Sequence, residues 1–212
     1  MAIEMDKISA WMPTVEGACV NRGYIPCNKV GGGTANYRGS GDPSRYRAMG
    51  ASGVTIGVGV DLGQQTSGEL LRWGVTPELL HKLEPYIGKK RAAALEALHR
   101  QPLTLDMAEA EALTRAEQAG YLLDIVLPWW KRFAPNRPFS SMPWQAQTAV
   151  FSLTYQCGIN GALRRGPVTL GRIRDGRYQA AARALQDRSG WPDYQSRRAA
   201  EGRMLATVPV ED

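Results

Sequence analysis

The sequence has few of the residues that build metal sites and disulfide frameworks. It contains three cysteines, Cys19, Cys27 and Cys157, and two histidines, His81 and His99. The cysteines are odd in number and lack metal-type spacing, and both histidines lie in polar helical stretches far from a second ligand-like group. We therefore predict reduced thiols, surface histidines, and no metal or other cofactor. A Cys19–Cys27 disulfide stays open for a protein that works outside the cytoplasm.

The chain also lacks long apolar segments. No run approaches the roughly 20 residues that cross a bilayer. The first twenty residues contain Glu4 and Asp6 and no apolar core, which is unlike a secretory signal. These absences predict synthesis in the cytoplasm without a signal peptide. Action outside the cytoplasm would then depend on another release system.

Negative charge is scarce near the C-terminus. Residues 164–203 contain ten arginines but only four acidic residues, Asp175, Asp187, Asp193 and Glu201, which leaves a net charge of +6. This equals the net charge of the whole chain. Such a segment suits an anionic polymer, whether nucleic acid, an acidic membrane surface or bacterial cell wall. A solvated helix face is the alternative.

The pattern of apolar residues predicts a single α+β domain over residues 1–212. Apolar residues recur at helical spacing over residues 3–20, and residues 21–66 form a Gly-, Asn- and Ser-rich β-lobe. Residues 67–208 are helical, and "PWQAQTAVFSLTYQCGI" is apolar on most sides, which indicates a central buried helix. A cleft between a β-lobe and a helical lobe suits a long substrate.

Glu16 is the first candidate for acid–base chemistry. It lies near the end of the predicted first helix, where the helix dipole and apolar neighbours disfavour an ionised carboxyl group. A carboxyl group that stays protonated near neutral pH can act as a general acid. The alternative is an exposed glutamate beside Gly17.

The segment "GVTIGVGVDLGQQ", residues 53–65, adds two further candidates. On a strand, Thr55, Gly57, Gly59 and Asp61 share one face, and the aliphatic residues share the face that packs inward. The two glycines leave room for a ligand to approach the backbone. A straight strand would separate Thr55 from Asp61 by roughly 20 Å, so joint action requires a bend at Gly57 or Gly59. A glycine-rich hairpin with an incidental turn aspartate is the alternative.

The motifs "VEG…GYIPC" and "VTIGVGVDLGQQT" together resemble the muramidase domain of pesticin-like bacteriocins and endolysins, in the phage-type lysozyme superfamily. The likeness continues in "AVFSLTYQCGINGALRRG" and "YQSRRAAEGRML", from about residue 8 to residue 206. It implies a lysozyme-like fold and an N-acetylmuramidase that cuts the β-1,4 bond between N-acetylmuramic acid and N-acetylglucosamine. Glu16 would be the general acid, and Thr55 and Asp61 would complete the catalytic set. An inverting reaction would require carboxyl groups about 6.5–9.5 Å apart.

The resemblance implies further roles in the helical part. It predicts substrate contacts from Gln156, Arg197 and Arg198, besides those at Gly57 and Gly59. For Gln156 the alternative is a polar group satisfied within the core, and one of the two arginines would approach Glu16. Trp129 and Trp130 are predicted to pack in the core. The sequence departs from the family pattern at Val58 and Val60, where larger residues are usual, and in the insert at residues 28–52.

Peptidoglycan glycan strands are the expected partner of a monomeric enzyme, with an immunity or inhibitor protein as a second candidate and no nucleic acid. The enzyme would reach periplasmic peptidoglycan through a holin, as an endolysin, or by secretion, as an antibacterial effector. The alternative function is a non-catalytic protein that binds cell wall or another anionic polymer through the C-terminal arginine-rich surface. A peptidase or amidase is disfavoured, because the sequence shows no Cys/His or zinc-ligand constellation.

Overall fold

The computed structural model describes residues 2–187, 191 and 194–209. The chain forms two compact units, each with its own hydrophobic core. Glu16–Gly120 form the first, which we call the sheet unit. The residues up to Val15 and from Tyr121 onward form the second, the helical unit. The predicted α+β fold class is confirmed.

The sheet unit contains an antiparallel sheet of five strands. These are β1 (Val20–Lys29), β2 (Thr34–Tyr37), β3 (Tyr46–Ala48), β4 (Thr55–Gly57) and β5 (Val60–Asp61). Strand β1 pairs with β2, β3 and β4, and β4 pairs with β5. The predicted insert at residues 28–52 thus contains the end of β1 and all of β2 and β3.

Four helices follow the sheet: α3 (Ser67–Arg72), α4 (Pro77–Leu83), α5 (Arg91–Arg100) and α6 (Met107–Tyr121). Thr76 caps α4 by accepting a hydrogen bond from the Leu79 amide, as its place before Pro77 predicts. Thr104 precedes the next long amphipathic run and is a candidate cap by its position, but α6 begins three residues later. There the Asp106 carboxylate accepts a hydrogen bond from the Glu109 amide at 2.7 Å.

The helices of residues 67–120 share a core with the sheet. The aliphatic face of the glycine-rich segment is buried, with Val54, Ile56 and Val60 at 0% exposure. These side chains belong to one cluster with Leu70 of α3 and Leu113 of α6. The strands lie between residues 20 and 61, where the β-lobe is predicted, and the compact unit that contains them extends to residue 120. A thin sheet cannot bury its apolar face without a covering layer of helices.

The N-terminal helix is shorter than its apolar spacing predicts. Residues 3–20 were expected to form one helix, but the chain forms α1 (Met5–Trp11) and the single turn α2 (Pro13–Glu16) before β1 begins. Pro13 cannot donate a helical hydrogen bond, which interrupts the first helix. Gly17 then takes a positive φ of 93° as the chain leaves α2.

The helical unit is arranged around one long helix. Its elements are a π-helical turn at Leu122–Val126, then α7 (Leu127–Phe133), α8 (Trp144–Arg165), α9 (Pro167–Arg174), α10 (Tyr178–Gln186) and α11 (Gln195–Leu205). The predicted central helix is α8, which is buried from Ala146 to Thr154. At Gly158 its backbone leaves the helical region, with φ 64° and ψ 164°. Trp129 and Trp130 are buried in this core, as predicted.

The "RRAAE" stretch of α11, residues 197–201, forms a buried ion-pair network. Glu201 is completely buried and lies 3.3 Å from Arg197 Nε and 2.8 Å from Arg198 Nη1. Spacings of four and three residues put both arginines on the same helix face as Glu201. The Ser152 hydroxyl donates to Glu201 at 2.5 Å, and the Arg198 guanidinium stacks on Trp191 at 4.9 Å. Burial raises the pKa of Glu201, and both arginines and Ser152 oppose that shift.

The predicted C-terminal arginine-rich surface is therefore wrong for two of its members. Arg197 and Arg198 are only 7% and 1% exposed, because they neutralise Glu201 inside the core. Arg174 and Arg177 remain at the surface, where both pair with Asp175. Arg188 and Asp193, which also counted toward the predicted charge, lie outside the described residues.

None of the described helices is long and apolar enough to span a membrane.

Cys19, Cys27 and Cys157 are all free thiols, with Cys27 buried and the other two half-buried. The structure thus has reduced cysteines and not the Cys19–Cys27 disulfide that the sequence left open.

The network on α11 makes a testable prediction about stability. Glu201→Ala leaves two buried guanidinium groups without their shared carboxylate. We expect the free energy of unfolding to fall by about 3–5 kcal/mol, as is typical when one partner of a buried ion pair is removed. Urea denaturation followed by circular dichroism measures this change. Arg203→Ala, at an exposed position of the same helix, should cost no more than about 0.5 kcal/mol. Equal effects of the two substitutions would contradict the role of the network.

Candidate functional site

The glycine-rich segment folds back on itself as a β-hairpin. Strands β4 and β5 pair so that Thr55 lies opposite Asp61 and Ile56 opposite Val60. Gly57 and Gly59 in the turn have φ values of 64° and 81°, which glycine adopts without strain. Residues opposite each other in such a pair have Cα atoms about 4.5–5.5 Å apart, not roughly 20 Å. The predicted bend is present, and it uses both glycines.

Thr114 of α6 holds the hairpin turn in place. Its hydroxyl oxygen accepts a hydrogen bond from the Val58 amide at 3.1 Å, and the hydroxyl donates to the Ala110 carbonyl at 2.8 Å. A Cβ atom on Gly57 would lie only 2.2 Å from the Thr114 Oγ1 atom. The space beside Gly57 is thus filled by the protein, which corrects the expectation of open room for a ligand. Gly57 serves close packing of the turn against a helix.

The Asp61 carboxylate is oriented by the backbone around it. Its Oδ1 atom accepts hydrogen bonds from the amides of Gly53 at 3.0 Å and Gly63 at 2.9 Å. Among the described residues, Oδ2 accepts only one longer bond, at 3.4 Å from Gln64. Burial raises the pKa of Asp61, while these three donors and Lys90 partly offset the effect. One carboxylate oxygen is thus fixed, and the other retains capacity to accept.

Glu16 lies against the hairpin turn. A Cβ atom on Gly59 would be 3.2 Å from the Glu16 Oε2 atom, so the missing side chain at Gly59 makes room for the carboxyl group. The sequence predicts that Glu16 lies near the end of a long helix. In the structure it is the last residue of α2, which has a single turn. The proposed influence of a helix dipole is therefore wrong, because one turn sums few peptide dipoles. Glu16 is half-buried.

The structure brings together the three predicted catalytic residues. Glu16, Thr55 and Asp61 all belong to the sheet unit and surround one hairpin. Gln156, Arg197 and Arg198 belong to the helical unit, where the Gln156 amide oxygen accepts a hydrogen bond from Arg198. Their contacts with substrate stay predictions, as do the catalytic roles.

Tyr24 is a neighbour of these residues that the sequence reasoning did not single out. Its Cα atom pairs with that of Thr55 across β1 and β4. Burial and the Glu16 carboxylate raise the pKa of the Tyr24 hydroxyl, with a smaller contribution from Asp61 and an opposing one from Arg38. A signal was present in "GYIPC", where alternation puts Tyr24 on the opposite face from the buried Ile25 and Cys27.

The described residues contain no group of three or more His, Cys, Asp or Glu side chains that could hold a metal ion. The two histidines are exposed, as predicted. His81 lies 3.4 Å from Glu84, and His99 shares a hydrogen bond with the Tyr37 hydroxyl at 3.0 Å. The polar side chains at the hairpin are the Thr55 hydroxyl and the Asp61 and Glu16 carboxyl groups, which suit proton transfer.

Comparison with known families identifies one relationship. The family described as "Pesticin: Bacterial toxin homologue of phage lysozyme, C-term" matches residues 8–179. This range contains Glu16, Tyr24, Thr55 and Asp61, and it ends before α11. A search among curated proteins finds no match to the chain.

The tight packing at the hairpin turn predicts a large effect at Gly57. Gly57→Ala combines a left-handed backbone with a clash against Thr114, so we expect a loss of about 2–4 kcal/mol in the free energy of unfolding. Gly68→Ala is the matched control, because Gly68 is an exposed residue of α3 with open space around it. It should stabilise the protein by about 0.5–1 kcal/mol. Chemical denaturation of both variants tests the difference, and a tolerated Gly57→Ala would contradict the packing role.

The raised pKa of Asp61 predicts a pH-dependent stability difference. A carboxyl with a folded pKa above its unfolded value of about 3.9 destabilises the fold when ionised, and this cost vanishes as pH falls through both values. Asparagine keeps the cap but carries no charge. We therefore expect Asp61→Asn to melt at a higher temperature than the parent at pH 7, with a smaller difference near pH 4.

Asp106→Asn is the matched control, since Asp106 caps α6 at an exposed position. Its melting temperature should stay close to that of the parent at both pH values. A lower melting temperature for Asp61→Asn at pH 7 would show that the carboxylate serves the fold.

Proposed function

The chain belongs to the pesticin family of phage lysozyme homologues, and from this premise we propose that it is an N-acetylmuramidase. The family suggests muramidase-type hydrolysis of peptidoglycan. The bond that we propose is the β-1,4 link from N-acetylmuramic acid to N-acetylglucosamine. One observation carries the proposal: Thr55 and Asp61 lie opposite each other on one hairpin, and the Glu16 carboxyl group lies against the turn of that hairpin.

The chemistry assigns a different role to each carboxyl group. Glycoside hydrolysis needs one acid for the leaving oxygen and a second carboxylate on the other side of the sugar. Glu16, in its protonated form, gives its proton to the glycosidic oxygen as the bond to the anomeric carbon breaks. Asp61 accepts a proton from a water molecule as that water bonds to the anomeric carbon. The Thr55 hydroxyl helps to hold the water.

The surroundings of Asp61 support its role as the base. Two backbone amides hold Oδ1, so Oδ2 has a defined direction and can accept a proton. Burial raises the pKa of Asp61, which makes the ionised carboxylate a stronger base than a solvent-exposed aspartate. In this scheme water attacks directly, and the configuration at the anomeric carbon inverts.

The second candidate function is non-catalytic binding of an anionic polymer through arginines. The described contacts weaken it, because Arg197 and Arg198 are buried and Arg174 and Arg177 pair with Asp175. A protein of this kind would lose affinity steeply with salt. Its binding would also be the same in Glu16→Gln.

We further propose that the enzyme acts on periplasmic peptidoglycan, after release through a holin or by secretion. Its substrate is then the glycan strand of the cell wall, and it works as a monomer. An immunity or inhibitor protein in the producing cell is a further proposed partner.

Digestion of purified sacculi tests the function directly. We expect mass spectrometry to find muropeptides with reducible muramic acid ends, whereas free stem peptides would identify an amidase. Glu16→Gln and Asp61→Asn should each lower the rate by about 10²–10⁴-fold, the usual contribution of a general acid or base. Glu78→Gln, at an exposed position in the first turn of α4, should leave the rate unchanged. Full activity in folded Glu16→Gln would refute the assignment.

A further inference from the structure

Tyr24 stands in one row with two residues of the proposed catalytic set. Its Cα atom pairs with that of Thr55, and Thr55 pairs with Asp61. Side chains of directly opposed residues point to the same face of a sheet, with Cβ atoms about 4.5–5.5 Å apart. Three adjacent strands therefore present a phenol, a hydroxyl and a carboxylate side by side.

The ring of Tyr24 contacts an arginine side chain. The Arg38 guanidinium lies 5.4 Å from the ring centroid, and Arg38 itself donates a hydrogen bond to the Arg22 carbonyl at 3.1 Å. The neighbouring residues on β1, Gly23 and Ile25, are buried in the sheet unit. Tyr24 itself is half-buried, and its hydroxyl can rotate to suit a hydrogen-bond acceptor.

Both carboxyl groups lie around the hairpin that pairs with Tyr24: Asp61 is opposite Thr55, and Glu16 lies beside Gly59 in the turn. After burial, Glu16 is the largest influence that raises the pKa of Tyr24, and Asp61 acts in the same direction. Arg38 opposes them. The phenol therefore stays protonated at neutral pH, and a protonated phenol is a hydrogen-bond donor.

We propose that Tyr24 is a positioning residue of the muramidase site, whose hydroxyl donates a hydrogen bond to the Glu16 carboxylate as Glu16 gives up its proton. The inference rests on the proposed function. The proton of Glu16 goes to the glycosidic oxygen, the bond from that oxygen to the anomeric carbon breaks, and Tyr24 keeps its own proton. A hydrogen bond to a charged acceptor is stronger than one to a neutral group. The bond thus stabilises the transition state more than the bound substrate, in which Glu16 is still protonated.

Tyr24→Phe tests this role because it keeps the ring and its contact with Arg38. Hydrogen bonds to charged groups contribute about 1.5–3 kcal/mol, so we expect kcat on soluble peptidoglycan oligomers to fall roughly 10–150-fold. KM should change little, and the alkaline limb of the pH–kcat profile should move to higher pH, because the ionised acid has lost a donor. Tyr46→Phe is the matched control, since Tyr46 is a half-buried tyrosine of β3 whose ring contacts that of Tyr37 at a 45° tilt. It should leave all three quantities unchanged.

A second measurement does not need activity. In Glu16→Gln the pKa of Tyr24 should fall toward its ordinary value, and carbon-13 NMR of the phenol can follow this titration. In the control variant Glu78→Gln, the pKa of Tyr24 should not change.

Failure of the proposed function and failure of the inference about Tyr24 give different experimental results. If the parent protein releases no reducible ends from sacculi while the Tyr24 pKa responds to Glu16→Gln, the proposed function is wrong and the inference falls with it. If the parent is active but folded Tyr24→Phe keeps its kcat and pH profile, the inference alone is overturned. A raised KM at constant kcat also overturns it, since that result identifies a sugar contact.

Discussion

The hydrogen bond from the Val58 amide to Thr114 is the interaction on which the site depends. It fastens the turn between β4 and β5 to α6, and Gly57 has no side chain that would collide with the threonine. The turn reverses the chain so that Asp61 returns beside Thr55. The same turn presents Gly59, whose bare backbone leaves space for Glu16. The turn and the helix behind it thus set Asp61 beside Thr55 and leave space for Glu16, which α2 carries.

Asp61 combines two roles that oppose each other energetically. Its Oδ1 atom caps a turn of 3-10 helix at Leu62–Gln64, a contribution to the fold that asparagine could also make. Its charge is partly buried, which disfavours the ionised form and raises the pKa. A cap alone would not require a charged residue there. The retention of a charge at some cost to stability is typical of residues that serve function.

The helical unit has a charged network inside its core. The two consecutive arginines of α11, Arg197 and Arg198, enclose a completely buried Glu201, and their predicted contacts with substrate stay a prediction. Gln156 joins the same network through Arg198. Burial of a carboxylate requires compensating charge, and two guanidinium groups with Ser152 provide it. Part of the positive charge of the C-terminal segment is thus neutralised by Glu201 inside the protein.

Sequence patterns alone determined the features that depend on local geometry. Alternation identified the buried face of the 53–65 segment and the need for a bend at its glycines. A stretch that is apolar on most sides identified α8, and the position of Trp129 and Trp130 after Pro128 indicated that they pack in the core. These follow from backbone preferences and from which side of an element faces the core. The likeness of short motifs to a known family supplied the candidate catalytic residues.

Only the tertiary structure decided the contacts between residues far apart in the chain. Thr114 is 56 residues from Val58, and Ser152 is 49 residues from Glu201. Such pairs produce no periodic pattern in the amino-acid sequence, because they depend on how separate elements pack. For the same reason the single turn that carries Glu16, the burial of both arginines and the row of Tyr24, Thr55 and Asp61 were visible only in three dimensions.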